Sequence, residues 1–342
     1  MPKLPKASKG VKSVGICGLG HFLPPTVVTN QDIKNRGLDT SDEWIQSRTG
    51  IRERRVSGPD LATSDLAYHA AVMALDDAGI SASDLDMILV ATTSPDYPQF
   101  PSVACLLQAR LGAPSIAAFD LSAACSGFGY ALTTAAQYLY SGMYGRILVV
   151  AADTLTKSVN WEDRSTCILF GDGAGAVVLG EVEPGFGLTY ASMYSDGGAA
   201  DILKISSGGS KTPLTPALLE DNAHCIFMDG RAVFKVAVTH AVTAVETALK
   251  ALGLSALEID YFVPHQANLR IIELMQEKLG FSDQQVLSNV AVYGNTSAAS
   301  IPILLSESYY KNVFKEGDII MTIGFGAGFT WVVNVLRWGG IQ

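Results

Sequence analysis

The chain has 342 residues, 48% of them hydrophobic and 17% charged, so it can bury a large core and matches no signature of disorder. Its net charge of -9 argues against nucleic acid as a general partner, and an acidic ligand would have to meet a local basic patch. Five widely spaced cysteines without a C-x-x-C pattern predict neither a disulfide framework nor a zinc site, and they favour a reducing cytoplasm.

The N-terminal segment matches the pattern of a secretory signal peptide poorly. The best candidate, Val14 to Leu19 behind four lysines, is short and interrupted by glycine. No apolar run approaches the roughly 18 residues that a membrane-spanning helix needs. We therefore expect neither export nor a membrane partner.

The predicted elements repeat along the chain. A helix predicted over residues 64–78 leads into the segment 78–90, and a helix predicted over 232–252 leads into a similar segment, 252–264. Each of these segments ends in a buried strand. The repeat predicts two similar α/β halves, residues 1–180 and 181–342.

A glycine-rich segment follows the next strand in each half. Residues 171–175 and 324–328 both run into β-branched residues rather than into a helix. A phosphate-binding G-x-G-x-x-G lies between a strand and a helix, so this context argues against a nucleotide fold of the Rossmann type. We predict turns between strands at both places.

One cysteine, Cys125, lies among small residues where an extended segment changes to a helix. A helix N-terminus can lower a thiol pKa from about 8.5 towards neutrality. Ala124 and Gly127 leave space for a substrate carbonyl near the Cys125 backbone N–H. Most free cysteines are buried structural thiols. On this segment alone, a nucleophile and a structural thiol are equally supported.

Two polar residues in the second half, His265 and Asn295, are candidates for the acid, base or hydrogen-bond donor that a cysteine nucleophile would need. His265 comes directly after an apolar strand, where side chains leave the core, and is a candidate acid, base or donor. Asn295 follows a glycine at a predicted helix start, a position where asparagine is more often an N-cap than a catalytic residue.

Taken together, these residues resemble the β-ketoacyl-acyl-carrier-protein synthase III family of the thiolase-like superfamily, over about residues 11 to 338. The resemblance implies a five-layered αβαβα sandwich of two duplicated halves, and a homodimer. The motifs that carry it are TSDEWIQSRTGI (40–51), ACSG (124–127), FGDGAGA (170–176), HQAN (265–268), GNTS (294–297) and GFGAGFTW (324–331).

The implied chemistry is a decarboxylating Claisen condensation. Cys125 would take an acyl group from an acyl-coenzyme A primer. His265 and Asn295 would donate hydrogen bonds to the thioester oxygen of malonyl-acyl-carrier protein as carbon dioxide leaves. The backbone N–H groups of Cys125 and of Gly326 and Ala327 would bind the second oxyanion. No metal and no cofactor is implied, because the coenzyme A thioester is a substrate.

The resemblance also implies binding residues. Phe100 resembles an acyl-pocket residue that the partner subunit supplies. A basic cluster, Arg48, Arg52, Arg54 and Arg55, is what an anionic ligand would require, and a solvated arginine face is the alternative. The implied coenzyme A contacts are Trp44 and Arg164 around the adenine, Arg48 at a phosphate, and Gly230, Phe234, Asn268 and Phe325 along the pantetheine.

Carrier-protein docking is expected on Lys235, Arg270 and Lys278. Glu273 and Glu277 lie on the same predicted helix face as Arg270, and Glu277 should weaken docking of an acidic carrier. The loop 94–100 leaves the choice of primer open. A related acyltransferase or condensing enzyme of a secondary-metabolite pathway stays an alternative. An inactive partner subunit would require the loss of a catalytic residue, and none is lost.

Overall fold

The computed structural model of this chain describes residues 13–340. The four lysines ahead of Val14, the start of the family resemblance near residue 11 and the outermost ends of the two predicted halves lie outside this range. The segment from Val14 to Leu19 belongs to strand β1 and is largely buried. These residues are therefore part of the core.

Within the described residues, the strands form two mixed sheets and two small antiparallel sheets of two strands each. The orders of the large sheets are β1-β7-β6-β4-β5 and β11-β12-β13-β8, and the small sheets are β2/β3 and β9/β10. The strands are β1 (Val14–Phe22), β2 (Thr26–Thr29), β3 (Glu53–Val56), β4 (Met87–Ala91), β5 (Ala117–Leu121), β6 (Ile147–Asp153), β7 (Gly173–Glu181), β8 (Gly187–Ser195), β9 (Leu203–Ile205), β10 (Ile226–Met228), β11 (Tyr261–Pro264), β12 (Ile319–Gly326) and β13 (Thr330–Arg337).

The two sheets share one pairing pattern. In the first, β1 and β6 pair with β7 in antiparallel fashion, and β4 pairs with β6 in parallel. In the second, β8 and β12 pair with β13 in antiparallel fashion, and β11 pairs with β12 in parallel. The repeated segments 78–90 and 252–264 end in the corresponding strands β4 and β11, each after a short 3-10 turn with a serine capping box.

Helices separate and cover the sheets. α3 and α4 pack on the outer face of the first sheet, α5 and α10 lie between the sheets, and α7 packs on the outer face of the second. The result is five alternating layers. The helices are α1 (Asn30–Lys34), α2 (Asp42–Thr49), α3 (Thr63–Asp77), α4 (Val103–Leu111), α5 (Gly127–Tyr140), α6 (Pro216–Glu220), α7 (Gly230–Leu252), α8 (Leu269–Leu279), α9 (Val290–Tyr293) and α10 (Ser300–Tyr310).

Strand β4 shows why a sheet with helices on both faces forms here. Met87 and Leu89 join the core between the sheets, whereas Ile88 and Val90 join the core under α3 and α4. Successive side chains of a strand point to opposite faces, so a continuously apolar strand needs cover on both sides. The predicted α/β class is confirmed.

The glycine-rich segments were predicted as turns, and this is wrong for most of their residues. Gly173 and Gly175 lie inside β7, and Gly324 and Gly326 lie inside β12. A Cβ on Gly175 would lie 2.7 Å from the backbone nitrogen of Ile303 in α10. These glycines allow close packing between layers.

Two helix starts also differ from the predicted ones. α3 begins at Thr63 rather than residue 64, and α7 begins at Gly230 rather than residue 232. For α7 the reason is Asp229, whose side chain accepts a hydrogen bond from the Ala232 N–H and caps the helix earlier.

Helix α7 is long and apolar enough, by length and composition alone, to cross a membrane. The expectation that no apolar run approaches the length of a membrane-spanning helix is therefore wrong for α7. Its buried side chains, such as Ala241 and Val245, pack in the core against the second sheet. That packing accounts for its apolar composition.

Candidate active site

Cys125 lies in a 3-10 turn, Ala124–Ser126, that leads directly into α5 after the end of β5. Ala124 has a φ of 46°, a left-handed backbone conformation that residues other than glycine rarely adopt. The Ser126 hydroxyl donates to the Ala123 carbonyl at 2.6 Å and lies 2.8 Å from Thr330 Oγ1. These contacts fasten the turn to β13.

The end of β12 packs closely against the same turn. A Cβ on Gly326 would lie 2.6 Å from the backbone nitrogen of Cys125. Only a residue without a side chain allows this approach, so the backbone near Gly326 and Ala327 lies beside the cysteine.

Cys125 is buried, and burial raises its thiol pKa to about 12. The Ser297 hydroxyl lowers this pKa, and the Asp153 carboxylate raises it further. The expected lowering towards neutrality by the helix N-terminus is therefore wrong, because desolvation of a thiolate outweighs the favourable dipole. The thiolate needs further stabilisation when it reacts.

His265 follows β11 and is held by Ser300 of α10. Its Nδ1 lies 2.7 Å from Ser300 Oγ, which also accepts from the Gln266 N–H at 3.3 Å. Within the described residues, Nδ1 is the only acceptor for the Ser300 hydroxyl proton. Ser300 therefore donates to Nδ1, and the remaining ring proton is on Nε2.

Burial lowers the pKa of His265 to about 3, so the ring is neutral at pH 7. A neutral imidazole with a protonated Nε2 can donate a hydrogen bond but cannot accept a proton at that nitrogen. Its ring stands edge-on to Phe325, with 5.1 Å between the centroids.

This depressed pKa predicts a pH dependence of stability. Between about pH 6.5 and 3 the unfolded chain binds a proton at His265 that the folded chain does not, so stability is lost as the pH falls. From pH 7.5 to 5 this residue should cost about 2 kcal/mol of unfolding free energy. Urea unfolding of the wild type and of His265→Gln measures the difference, and equal pH slopes would contradict the buried neutral state.

Asn295 combines a structural bond with a free donor. Its backbone forms an isolated bridge with Phe170. Its side-chain Oδ1 accepts from the Ser297 N–H at 2.8 Å, which is the cap-like bond that its sequence position suggests. Because Oδ1 is engaged, Nδ2 is left as the donor.

Two cavities meet at Cys125. The first, of about 220 Å³, is lined by Cys125, His265 and Asn295. The second, of about 240 Å³, has mainly apolar walls and includes Ala124, Ser297 and Ala327 beside Cys125. The cysteine thus separates two binding spaces. Of the residues that the resemblance implies, the first cavity brings together Trp44, Arg48, Arg164, Gly230, Phe234, Asn268, Phe325 and Gly326.

Trp44 and Arg164 line the first cavity and lie next to each other. The Arg164 guanidinium carbon lies 4.9 Å from the centre of the Trp44 ring, and Arg164 pairs with Asp39. An aromatic base between two planar groups needs them about 7 Å apart, twice the contact distance of carbon atoms. Arg164 is exposed, so it can move outward to admit a ring.

The four arginines of the basic cluster lie in different environments, so the cluster does not form one anion site. Arg54 is fully buried and donates to Asn30 Oδ1 and to the Ile168 carbonyl. Burial lowers its pKa to about 10. Arg55 lies over the ring of Tyr293. Of the four arginines, Arg48 lines the first cavity, and the other three line neither cavity at Cys125.

The predicted docking side chains lie on the surface. Lys235 is exposed on α7, and Arg270 and Lys278 are exposed on α8. The Arg270 guanidinium carbon is 6.0 Å from the ring centre of Phe234, which lines the first cavity. Arg270 is therefore next to the cavity wall.

Phe100 does not line either cavity of its own chain, and its side chain is 80% exposed. The five cysteines are free thiols. Among residues 13–340, no group of three His, Cys, Asp or Glu side chains is arranged to hold a metal ion.

Sequence reasoning missed three polar residues at this site: Asp153, Ser297 and Ser300. Ser297 ends the GNTS motif and Ser300 comes three residues after it, but a serine at a helix start usually signals only a cap. Their contacts with His265 and Cys125 join segments far apart in the chain, so no local pattern could identify them.

Similarity to known proteins agrees with this geometry. The family described as 3-oxoacyl-[acyl-carrier-protein (ACP)] synthase III matches residues 119–206, and its C-terminal part matches residues 249–338. The β-ketoacyl-[acyl-carrier-protein] synthase III of Caldanaerobacter subterraneus subsp. tengcongensis is 49% identical over 326 residues, covering 95% of this chain and 98% of that protein.

Solved structures agree as well. The crystal structure of 3-oxoacyl-[acyl-carrier-protein] synthase III from Aquifex aeolicus has a TM-score of 0.88 at 43% identity, over 95% of this chain and 100% of that one. The priming β-ketosynthase from the R1128 polyketide biosynthetic pathway has a TM-score of 0.89 at 33% identity, over 99% and 100%. The chain, with its thiolase-like fold, belongs to the 3-oxoacyl-[acyl-carrier-protein] synthase III family.

Proposed function

We propose that this protein starts fatty acid chains by condensing an acyl-coenzyme A primer with malonyl-acyl-carrier protein. One observation carries the proposal: a buried cysteine at the junction of two cavities shares one of them with the donor groups of His265 and Asn295. One cavity can admit the pantetheine of the donor, and the other can hold a hydrocarbon acyl group.

In the first stage, the Cys125 sulfur attacks the thioester carbonyl. A bond forms between sulfur and the acyl carbon, the bond to the coenzyme A sulfur breaks, and the proton of Cys125 ends on the coenzyme A thiol. Covalent capture divides one difficult step into two easier ones.

In the second stage, malonyl thioester occupies the first cavity. His265 Nε2–H and Asn295 Nδ2–H donate to its thioester oxygen, which becomes negative as carbon dioxide leaves. Both groups are already oriented by Ser300 and by Ser297 N–H, so little reorganisation is needed. The enolate carbon then attacks the acyl-Cys125 carbonyl, and backbone N–H groups of Cys125 and of the Gly326–Ala327 segment bind the oxyanion. When the oxyanion collapses, the bond between the acyl carbon and the Cys125 sulfur breaks, the sulfur leaves as a thiolate that takes a proton from solvent, and the 3-oxoacyl-carrier product is released.

Coenzyme A recognition is assigned to the outer part of the first cavity. Trp44 and Arg164 enclose the adenine, and Arg48 binds a phosphate. Gly230, Phe234, Asn268 and Phe325 line the pantetheine path. Asn268 Nδ2 donates to the Arg48 carbonyl at 3.2 Å, which joins the start of α8 to the end of α2.

Two measurements test the function. The mass of the protein after incubation with mixed acyl-coenzyme A thioesters identifies the accepted primers, and turnover with malonyl-acyl-carrier protein should release carbon dioxide and a 3-oxoacyl-carrier product. Acylation followed by transfer to a small amine or alcohol, without use of the malonyl substrate, would instead support the secondary-metabolite alternative.

A homodimer completes the acyl pocket. Within the described residues, β5 pairs only with β4, so it presents an open strand edge. Exposed edges are normally covered or paired. Phe119 on β5 and Phe100 in the loop before α4 are both exposed apolar residues. Sedimentation at micromolar concentration tests this proposal, and a monomer would contradict it. A cytoplasmic location is proposed because the five cysteines are free thiols, which a reducing compartment maintains.

Docking of the acidic carrier should respond to charge on α8. Glu277 and Arg270 are both exposed, and a rim charge mainly changes the association rate and its salt dependence. Glu277→Lys should lower the KM for malonyl-acyl-carrier protein, most clearly at low ionic strength, and leave the KM for the coenzyme A primer nearly unchanged.

Arg270→Glu should raise the carrier KM instead. The matched control is Lys315→Glu, an exposed charge reversal in the loop before β12. If both α8 variants keep the wild-type carrier KM at low and high salt, α8 is not the docking surface.

A further inference from the structure

Ser297 is a buried hydroxyl beside Cys125 that the two reaction stages above leave unused. It is 1% exposed, and its Oγ has no hydrogen-bond partner among residues 13–340. A buried hydroxyl without a partner costs free energy, because it has given up water and gained nothing in return. Such a group is explained when a partner is present at another stage of the reaction.

The backbone holds this hydroxyl in a strained position. Ser297 has a φ of 54°, a left-handed conformation that is rare outside glycine. Two neighbours maintain it: Asn295 Oδ1 accepts from the Ser297 N–H at 2.8 Å, and the Ala298 N–H lies 3.4 Å from Asp153 Oδ2. Strain of this kind is concentrated at functional sites.

The side chain lies where the cysteine reacts. Ser297 lines the second cavity together with Cys125 and Ala327. The charged or titratable groups that face Cys125 are Asp153 from β6 and His265 after β11, and Lys204 on the wall of the second cavity is paired with Asp201 at 2.6 Å.

A thiolate at Cys125 therefore has few means of stabilisation. Asp153 opposes it, and His265 Nε2 already carries its proton and is buried and neutral. Besides His265 Nε2–H and Asn295 Nδ2–H, which share the first cavity with Cys125, the N-terminal N–H groups of α5 and the Ser297 hydroxyl are the donors that the site can offer.

We propose that the Ser297 hydroxyl donates a hydrogen bond to the Cys125 sulfur as it becomes negative and thereby promotes acylation. Ser297 keeps its own proton throughout. The Cys125 proton still ends on the coenzyme A thiol. This role rests on the proposed function, since it assumes that Cys125 is the acyl acceptor.

Two substitutions separate the hydroxyl from the backbone. Ser297→Ala removes the hydroxyl and keeps a side chain at the left-handed position, whereas Ser297→Gly removes the hydroxyl and relieves the strain. Thr322→Val is the control, because Thr322 Oγ1 is also buried without a partner within the described residues but lines neither cavity.

The readouts are the rate of iodoacetamide alkylation at the Cys125 peptide at one fixed neutral pH, which follows the thiolate fraction, and the acylation rate with an accepted acyl-coenzyme A. A hydrogen bond to a charged group predicts that both rates fall by about 10-fold or more, equally in Ser297→Ala and Ser297→Gly. Thr322→Val should match the wild type in both.

Wild-type rates of alkylation and acylation in Ser297→Ala would overturn the proposal. So would wild-type behaviour in Ser297→Gly with impairment in Ser297→Ala, because the backbone conformation would then be responsible. Alkylation needs no acyl-coenzyme A, so its rate still tests Ser297 if the wild-type protein accepts no acyl-coenzyme A. A wild-type protein that accepts no acyl-coenzyme A would refute the proposed function, and this outcome is distinct from a failure of the Ser297 proposal.

Discussion

Cys125→Ala should abolish acyl uptake from acyl-coenzyme A, and Cys125→Ser should reduce it below detection. Cys125 is the cysteine at which both cavities meet, and the protein has no other described thiol on the wall of either one. A serine hydroxyl is a far weaker nucleophile than a thiol unless a base activates it, and His265 Nε2 is protonated in this site. Intact-protein mass spectrometry after incubation with the primer measures the loss directly.

The matched control is Cys105→Ala. Cys105 is exposed on α4, so it is the thiol most open to nonspecific acylation. This variant should gain the same acyl mass as the wild type, on the same Cys125 peptide. An acyl group on any cysteine of Cys125→Ala would show that the nucleophile has been assigned to the wrong residue.

Substitution of His265 or Asn295 by Ala should slow malonyl decarboxylation by about 10²-fold or more, which is the usual effect of removing one oxyanion donor. Each residue offers one N–H to the same thioester oxygen. Acylation of Cys125 should survive at least in part, because the donors act on the second substrate. Release of labelled carbon dioxide and the acyl mass measure the two steps separately.

His69→Ala is a suitable control for loss of a histidine, since His69 is exposed on α3 and stacks only on nearby rings. It should decarboxylate at the wild-type rate. Lost acylation together with normal decarboxylation in His265→Ala would reverse the assigned roles.

The effect of Ser300 on His265 shows how these roles depend on support from elsewhere in the fold. Ser300 belongs to α10, and its hydroxyl sets the tautomer of a ring that follows β11. The sequence contains both residues but gives no sign that they meet.

Local sequence patterns were enough to predict the class of fold and the chemical groups available. The apolar strand patterns, the serine caps at Ser81 and Ser255 and the matching segments 78–90 and 252–264 are local signals, and local signals predict local elements. The family resemblance is confirmed, while the division near residue 180 and the roles of the site residues stay predictions.

Which groups are buried, which are paired and which contact one another follows only from the folded chain. Gly175 proved to be a packing contact with α10, Arg54 a buried support and Arg48 a cavity residue. The pKa of Cys125 was set by desolvation rather than by its helix. These outcomes depend on contacts between distant segments and on the exclusion of water, and neither is encoded in the spacing of neighbouring residues.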